Sequence, residues 1–208
     1  MSATGRGAVR RESDYYPTPA WCVHRLLEAL DLPGGRWLEP SAGDGAIIRA
    51  VNTKREGVKW TAVEVRPECS AQLLDLADHA IADFLGASLG LGHFDVAILN
   101  PPFSDAMAFI DRCKPMATWV CALERLNFLE GDARNASLRS DAPDVFVLPN
   151  RPSFTGEGTD SIAYAWFVWG PERNRRESRI VLLPLTPAAE RKTPKLVIPE
   201  LLPGLGLA

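Results

Sequence analysis

The sequence has no Cys-x-x-Cys pair and no histidine cluster. Its four cysteines, Cys22, Cys69, Cys113 and Cys121, and its three histidines are scattered, so no metal site is expected. Scattered single cysteines fit a reducing, cytoplasmic setting. Long apolar runs are also missing: nothing approaches the roughly 20 residues of a membrane-spanning helix, and no membrane partner is expected. Residues 1–14 are polar and arginine-bearing and lack the apolar centre of a secretory leader. There is no internal repeat. Positive charge is not in excess either, since 23 Lys and Arg stand against 26 Asp and Glu for a net charge of −3. A polyanionic partner would therefore have to be met by local cation patches, because phosphate contacts supply most non-specific affinity for nucleic acid. What remains is a chain of 208 residues, 46% hydrophobic, long enough for one good core and too short for a large second domain.

The most informative stretch is Phe94-Asp-Val-Ala-Ile-Leu-Asn-Pro-Pro-Phe103. Val96 to Leu99 is a short apolar run of the kind expected for a central parallel strand, and two prolines then forbid further ladder pairing. Asn100 and the Pro101 carbonyl should therefore project rigidly at the carboxyl edge of the sheet, where open α/β sheets bind ligands. An exocyclic amine is a poor nucleophile because its lone pair is delocalised into the ring. A side-chain amide oxygen and a backbone carbonyl can each accept one of its N–H groups, which favours a pyramidal nitrogen. Both bonds strengthen as positive charge develops on nitrogen during attack on a sulfonium methyl. Phe103 offers a flat face for a base taken out of a nucleic acid stack.

A second motif lies upstream. Arg36 to Glu39 reads as a strand, Pro40-Ser41-Ala42-Gly43-Asp44-Gly45 as a glycine turn, and Ala46 to Val51 as a helix. The glycines permit positive φ and close backbone approach, and the helix start presents unpaired N–H groups. The third glycine of the dinucleotide fingerprint is absent, and no Gly-Lys-Ser/Thr of a P-loop follows, so a zwitterionic ligand without phosphate fits better. Trp60 to Glu64 is a second strand ending in an acid placed to grip both hydroxyls of a ribose. A helix from Glu68 to Leu76 and a third strand from Ala80 to Phe84 follow, with Asp83 expected beside an adenine ring.

With these residues in place the chain resembles the class I S-adenosylmethionine-dependent amino-methyltransferases, specifically their N6-adenine and N4-cytosine group. The resemblance runs from about Tyr16 to Trp169, and the order of its motifs is similar to the γ-type arrangement. It implies an α/β, Rossmann-like class I methyltransferase fold: a mostly parallel, seven-stranded sheet with helices on both faces. It implies S-adenosyl-L-methionine as cofactor, held by Glu39, Ser41, Gly43, Gly45, Glu64 and Asp83. Asn100, Pro101, Pro102 and Phe103 become the catalytic tetrapeptide. The segment holding Tyr16 and Thr18 resembles the one that touches the methionine end of the cofactor in that family; Thr18 also reads as a helix N-cap with Pro19 at the first helical position. The implied activity is transfer of methyl to adenine N6 in DNA, with low or short sequence specificity. RNA adenine, a protein glutamine, and a non-catalytic cofactor-binding subunit are the alternatives. Phe103 in place of tyrosine leans away from the glutamine methyltransferases, and the nucleic-acid partner is expected to be DNA rather than RNA.

Downstream, strands are expected at Thr118–Leu123, Asp144–Leu148, Ile162–Trp169 and Arg179–Leu183, with a helix over Leu126–Ser140. The polar, glycine-rich stretch from Pro149 to Ser161 is a candidate target loop. In the resembled family an aromatic from this region stacks on the target base, which makes Phe154 the candidate, with Arg151 beside it. Pro171 to Arg179 reads as a basic hairpin tip. Its Arg173, Arg175, Arg176 and Arg179, with Arg6, Arg10 and Arg11, could form the phosphate-binding patch. The expected organisation is a flexible arm over residues 1–14, a methyltransferase domain over 15–183 and a proline-rich tail over 184–208.

Overall fold

The computed structural model describes residues 17–154, 161–171 and 177–191. Tyr16, Arg173, Arg175 and Arg176 lie outside the described residues, as do Arg6, Arg10 and Arg11. Helix α1 (Ala20–Ala29) leads into β1 (Gly35–Glu39), α2 (Ala46–Asn52), β2 (Val58–Glu64), α3 (Ser70–Leu73), β3 (Asp78–Ile81) and β4 (Phe94–Leu99). Then come α4 (Ala106–Cys113), β5 (Ala117–Arg125), α5 (Asp132–Ser140), β6 (Asp144–Val147), β7 (Tyr164–Trp169) and β8 (Ile180–Leu182). The strands form one sheet in the order β3-β2-β1-β4-β5-β7-β6-β8. Among the described residues, only the two ladders made by β7, with β5 and with β6, are antiparallel.

Period-two alternation builds two cores from the same strands. Trp37, Val96, Ile98, Cys121, Trp166 and Val168 point to the face covered by α1 and α2. Leu38, Ala97, Leu99, Val120, Ala122, Ala165 and Phe167 point to the face covered by α4 and α5. A sheet buried on both faces explains why β4 and β5 read as continuous apolar runs.

Several expectations are corrected. Among the described residues the sheet has eight strands, not seven, because the short β8 pairs parallel to β6 and extends the edge. The helix expected over 68–76 is a 3₁₀ turn at Pro67–Cys69 followed by the single turn of α3, after which Leu74 is exposed and the chain turns into β3. The helix expected over 126–140 is broken by Gly131, whose φ of +106° separates a 3₁₀ turn (Leu126–Leu129) from α5. β3 runs Asp78–Ile81 rather than 80–84, so Asp83 stands beyond the strand end. The apolar signal that extended it came from Phe84, a buried loop anchor stacked on Phe109 at 5.4 Å. The residues that follow β8 pack on α1. Thr186 is 2% exposed, its hydroxyl accepts from Arg25 Nε at 3.0 Å, and Glu190 pairs with Arg25 at 3.0 Å, which docks residues up to 191 on α1.

Candidate active site

Strand order reverses between β1 and β4, and in an open α/β sheet that switch point is where the carboxyl ends leave a crevice. A cleft of about 260 Å³ lies there. Glu39, Ser41 and Gly43 line it from the β1 side, Glu64 and Asp83 from the β2 and β3 side, and Asn100, Pro101, Pro102 and Phe103 from the end of β4. Two motifs separated by more than fifty residues of sequence therefore share one cavity.

On the tetrapeptide side, the prolines end β4 at Leu99 as their missing N–H groups require. Asn100 is half-buried, and its Nδ2 donates to Thr18 Oγ1 at 3.0 Å. That bond fixes the amide plane and makes Oδ1 its acceptor end. The N-cap reading of Thr18 is corrected by the same contact: Pro19 holds the N-cap position of α1, no side chain among the described residues caps that helix, and the buried Thr18 hydroxyl serves Asn100.

On the glycine-turn side, Gly43 has φ +56° and its N–H donates to Glu64 Oε2 at 2.7 Å. Glu64 Oε1 accepts from the Arg66 backbone at 3.0 Å and from Arg66 Nε at 2.8 Å. Burial pushes the Glu64 carboxyl up, but Arg66 and the two backbone donors outweigh it and hold the pKa below the ordinary value. Glu39 is 2% exposed, and burial, then the neighbouring Asp44, push its carboxyl well above the usual range. Glu39 Oε2, Ser41 Oγ and Asp44 Oδ1 are buried with no hydrogen-bond partner among the described residues. Three orphaned oxygens around one cleft are costly unless a donor-bearing ligand satisfies them. They suit the ammonium of S-adenosylmethionine, whose N–H groups are donors, so the residues present fit that cofactor. Asp83 is exposed at the rim, where its Oδ1 accepts from the Leu85 N–H at 3.0 Å. Gly45 is not part of the lining. Its φ of +82° turns the chain into α2, and a Cβ there would meet Leu76 Cδ1 at 2.7 Å, so close helix packing explains this glycine.

Phe103 packs beside a group that sequence reasoning missed. The Arg125 guanidinium lies 4.2 Å from the Phe103 ring centroid, and Arg125 Nε donates to the Tyr164 hydroxyl at 3.1 Å. The Tyr164 ring is 6.0 Å from Phe103 and 5.1 Å from Phe154. Phe154 is 8% exposed, packed on Tyr164, and is not among the residues that line the cleft. Arg151 is exposed and also does not line the cleft. β6 ends and β7 begins at the carboxyl edge of the sheet. β7 and β8 do not pair with each other but flank β6, so the segment between them is not the hairpin tip expected; at the opposite, amino edge Arg179 pairs with Asp144 at 2.6 Å. Arg66, two residues past Glu64 at a strand end, and Arg125, the last residue of β5, were findable from their strand-end positions. Thr18 was not findable as a partner of Asn100, because 82 positions separate them.

No protein-family model matches the chain. A Type II methyltransferase of Thermus thermophilus is 34% identical over 104 residues, 49% of this chain, and the chain spans only 23% of that relative's length. Among solved structures, a modification subunit of a putative type I restriction enzyme from Vibrio vulnificus superposes with TM-score 0.59 at 14% identity, covering 89% of this chain and 50% of that one. A predicted O-methyltransferase from Agrobacterium tumefaciens gives 0.58 at 19% identity, covering 85% and 92%. A putative RNA methyltransferase from Pyrococcus horikoshii gives 0.57 at 15% identity, covering 76% and 87%. Strand order, switch-point cleft and these superpositions agree on the fold, which is the α/β, Rossmann-like fold of the class I methyltransferases.

Proposed function

We propose that the chain transfers a methyl group from S-adenosylmethionine to N6 of adenine in DNA, with little or short sequence specificity. The observation that carries the reading is that Asn100-Pro101-Pro102-Phe103 opens into the same cleft as the three orphaned acceptor oxygens of Glu39, Ser41 and Asp44. When bound, the cofactor supplies an electrophilic methyl on sulfur. The chain's own residues do the rest. Asn100 Oδ1 and the Pro101 carbonyl accept the two N–H groups of the target amine, so the nitrogen lone pair is directed outward rather than into the ring. Both acceptors gain as the nitrogen becomes cationic, which is stabilisation of the transition state in excess of the ground state, and the methylated nitrogen returns to neutrality by losing one N–H proton to water. Phe103 holds the base plane, and Thr18 holds the Asn100 amide. Glu64, oriented by Gly43 and Arg66, is the ribose acceptor, and Asp83 stands at the adenine end of the cleft.

The likeness to a Type II methyltransferase and the shared fold with a restriction-enzyme modification subunit support a nucleic-acid substrate, DNA first. The test is incubation of purified protein with methyl-tritiated cofactor and separate DNA, RNA and protein pools, followed by digestion of the labelled pool. Label in N6-methyladenine from DNA is the expected result. Label confined to RNA or to protein would reassign the substrate. Cofactor binding without label in any pool would favour a partner subunit.

A further inference from the structure

Methyl transfer changes the charge of the ligand in the cleft: as the bond from sulfur to methyl breaks, its electron pair stays on sulfur and the sulfonium becomes a neutral thioether. The acids lining the cleft are not equally compensated against that change. Asp44 pairs with Arg49 at 2.7 Å and Glu64 with Arg66 at 2.8 Å. Asp83 and Asp105 also line the cleft, both are exposed, and neither pairs with a cation among the described residues. Asp83 accepts from the Leu85 N–H, and Gly86 keeps the space beside it, since a Cβ there would meet Asp83 Oδ2 at 2.6 Å. Asp105 holds the N-cap of α4, where an aspartate ordinarily accepts from the first helical N–H groups. Here its side chain makes no cap bond among the described residues and takes the Ser104 hydroxyl at 3.2 Å instead. Arg112 lies over the Phe84 ring, donates to the carbonyls of Leu85 and Ala87, and is not among the lining residues. The buried, orphaned Glu39 Oε2 in the same lining points independently to a donor-bearing ligand.

We propose that Asp105, with Asp83, gives the cleft an uncompensated negative rim that favours the cationic methyl donor over its neutral demethylated product, and so promotes exchange of product for cofactor. The inference rests on the reading above that S-adenosylmethionine fills this cleft. Ammonium and carboxylate are common to donor and product, so their contacts cancel in the comparison. The sulfonium is not, and a cleft walled by Phe84, Pro101, Pro102 and Phe109 focuses the field of its charged rim onto the ligand. Both carboxylates are exposed, so that field acts partly through water and is screened by salt. An aspartate that leaves its own helix uncapped fits a carboxylate that serves what enters the cleft rather than α4.

The experiment measures, by calorimetry on the full chain, the Kd of S-adenosylmethionine, of its demethylated product, and of an analogue in which an amine-bearing carbon replaces the sulfonium. At low salt both cationic ligands should bind about fivefold more tightly than the product, and the ratio should fall toward one as added salt shrinks the Debye length from roughly 30 Å to 3 Å. Asp105→Asn should cut the low-salt ratio to about twofold with product affinity nearly unchanged, because it removes one of two equivalent charges and keeps the shape. Asp105→Glu should keep the wild-type ratio. Equal binding of donor and product at low salt, a ratio indifferent to salt, an amine analogue that follows the product, a wild-type ratio in Asp105→Asn, or a Glu variant that behaves as the Asn variant would each overturn the proposal and leave the methyltransferase reading standing. Binding of none of the three ligands would overturn both.

Discussion

Asn100 reaches the cleft with its amide plane already set by Thr18, so little reorganisation is needed when an amine arrives. Preorganised polar groups of this kind act mainly in the transition state. Asn100→Ala should therefore lower kcat by roughly 10²–10³ with cofactor affinity nearly unchanged, which single-turnover kinetics and calorimetry would separate. Near-normal turnover would return the tetrapeptide to a structural role as a strand terminator. Glu39 gives a second prediction at this scale. Its carboxyl is pushed up by burial and by Asp44, so it holds a proton well above the ordinary carboxylate range in the free protein. A cationic ligand placed beside Oε2 lowers that pKa again. Cofactor binding should then release a proton, and affinity should rise with pH until the free-state pKa of Glu39 is passed. Calorimetry in buffers of different ionisation enthalpy would read the release directly, and Glu39→Gln should remove it.

Among the elements, α2 depends on a backbone conformation that only glycine adopts without strain. Gly45 has φ +82° at its N-cap, with Leu73 and Leu76 packed where a side chain would project. Gly45→Ala should cost roughly 1–2 kcal/mol from the left-handed backbone alone. In a domain of this size each kcal/mol lowers Tm by about 2–4 °C. A thermal melt unchanged by the substitution would show that the turn relaxes freely. The element scale is also where sequence legibility varied most. β4 and β7 were readable because strands buried on both faces carry continuous apolar signals, and β1 and β2 because each is a short apolar stretch that ends in a buried glutamate. α3 and the segment before α5 were overextended because periodic apolar residues continue past the point where the chain turns. Leu74 is exposed beyond α3, and Gly131 resets the backbone before α5. The cofactor turn and the tetrapeptide were legible because each is a local pattern. The Arg125–Phe103–Tyr164 contact was not, since it joins three strand ends through tertiary packing.

For the molecule as a whole, buried carboxyls of opposite behaviour set the response to pH. Glu64 has a folded pKa below its ordinary value, so its contribution to stability is present above about 4.5 and is lost as pH falls through the folded pKa. Glu124 is the reverse. It is buried on β5 with Oε1 unpartnered among the described residues, and burial, only partly offset by Arg134 and Arg125, raises its pKa well above 4.5. A raised folded pKa favours the protonated native state, so the stability linked to Glu124 is full below the ordinary carboxylate pKa and is lost as pH rises toward the folded one. Glu124→Gln keeps the size of the side chain and removes the ionisation. Its Tm should match the wild type at pH values below about 4, and should exceed it by a few °C near neutrality, a difference on the order of 1 kcal/mol. Melts of the two proteins across pH would check the sign. A Gln variant that is less stable at neutral than at acid pH, relative to the wild type, would mean that Glu124 is ionised in the native state and neutralised by Arg125 and Arg134, in which case the charge beside Phe103 is smaller than Arg125 alone supplies.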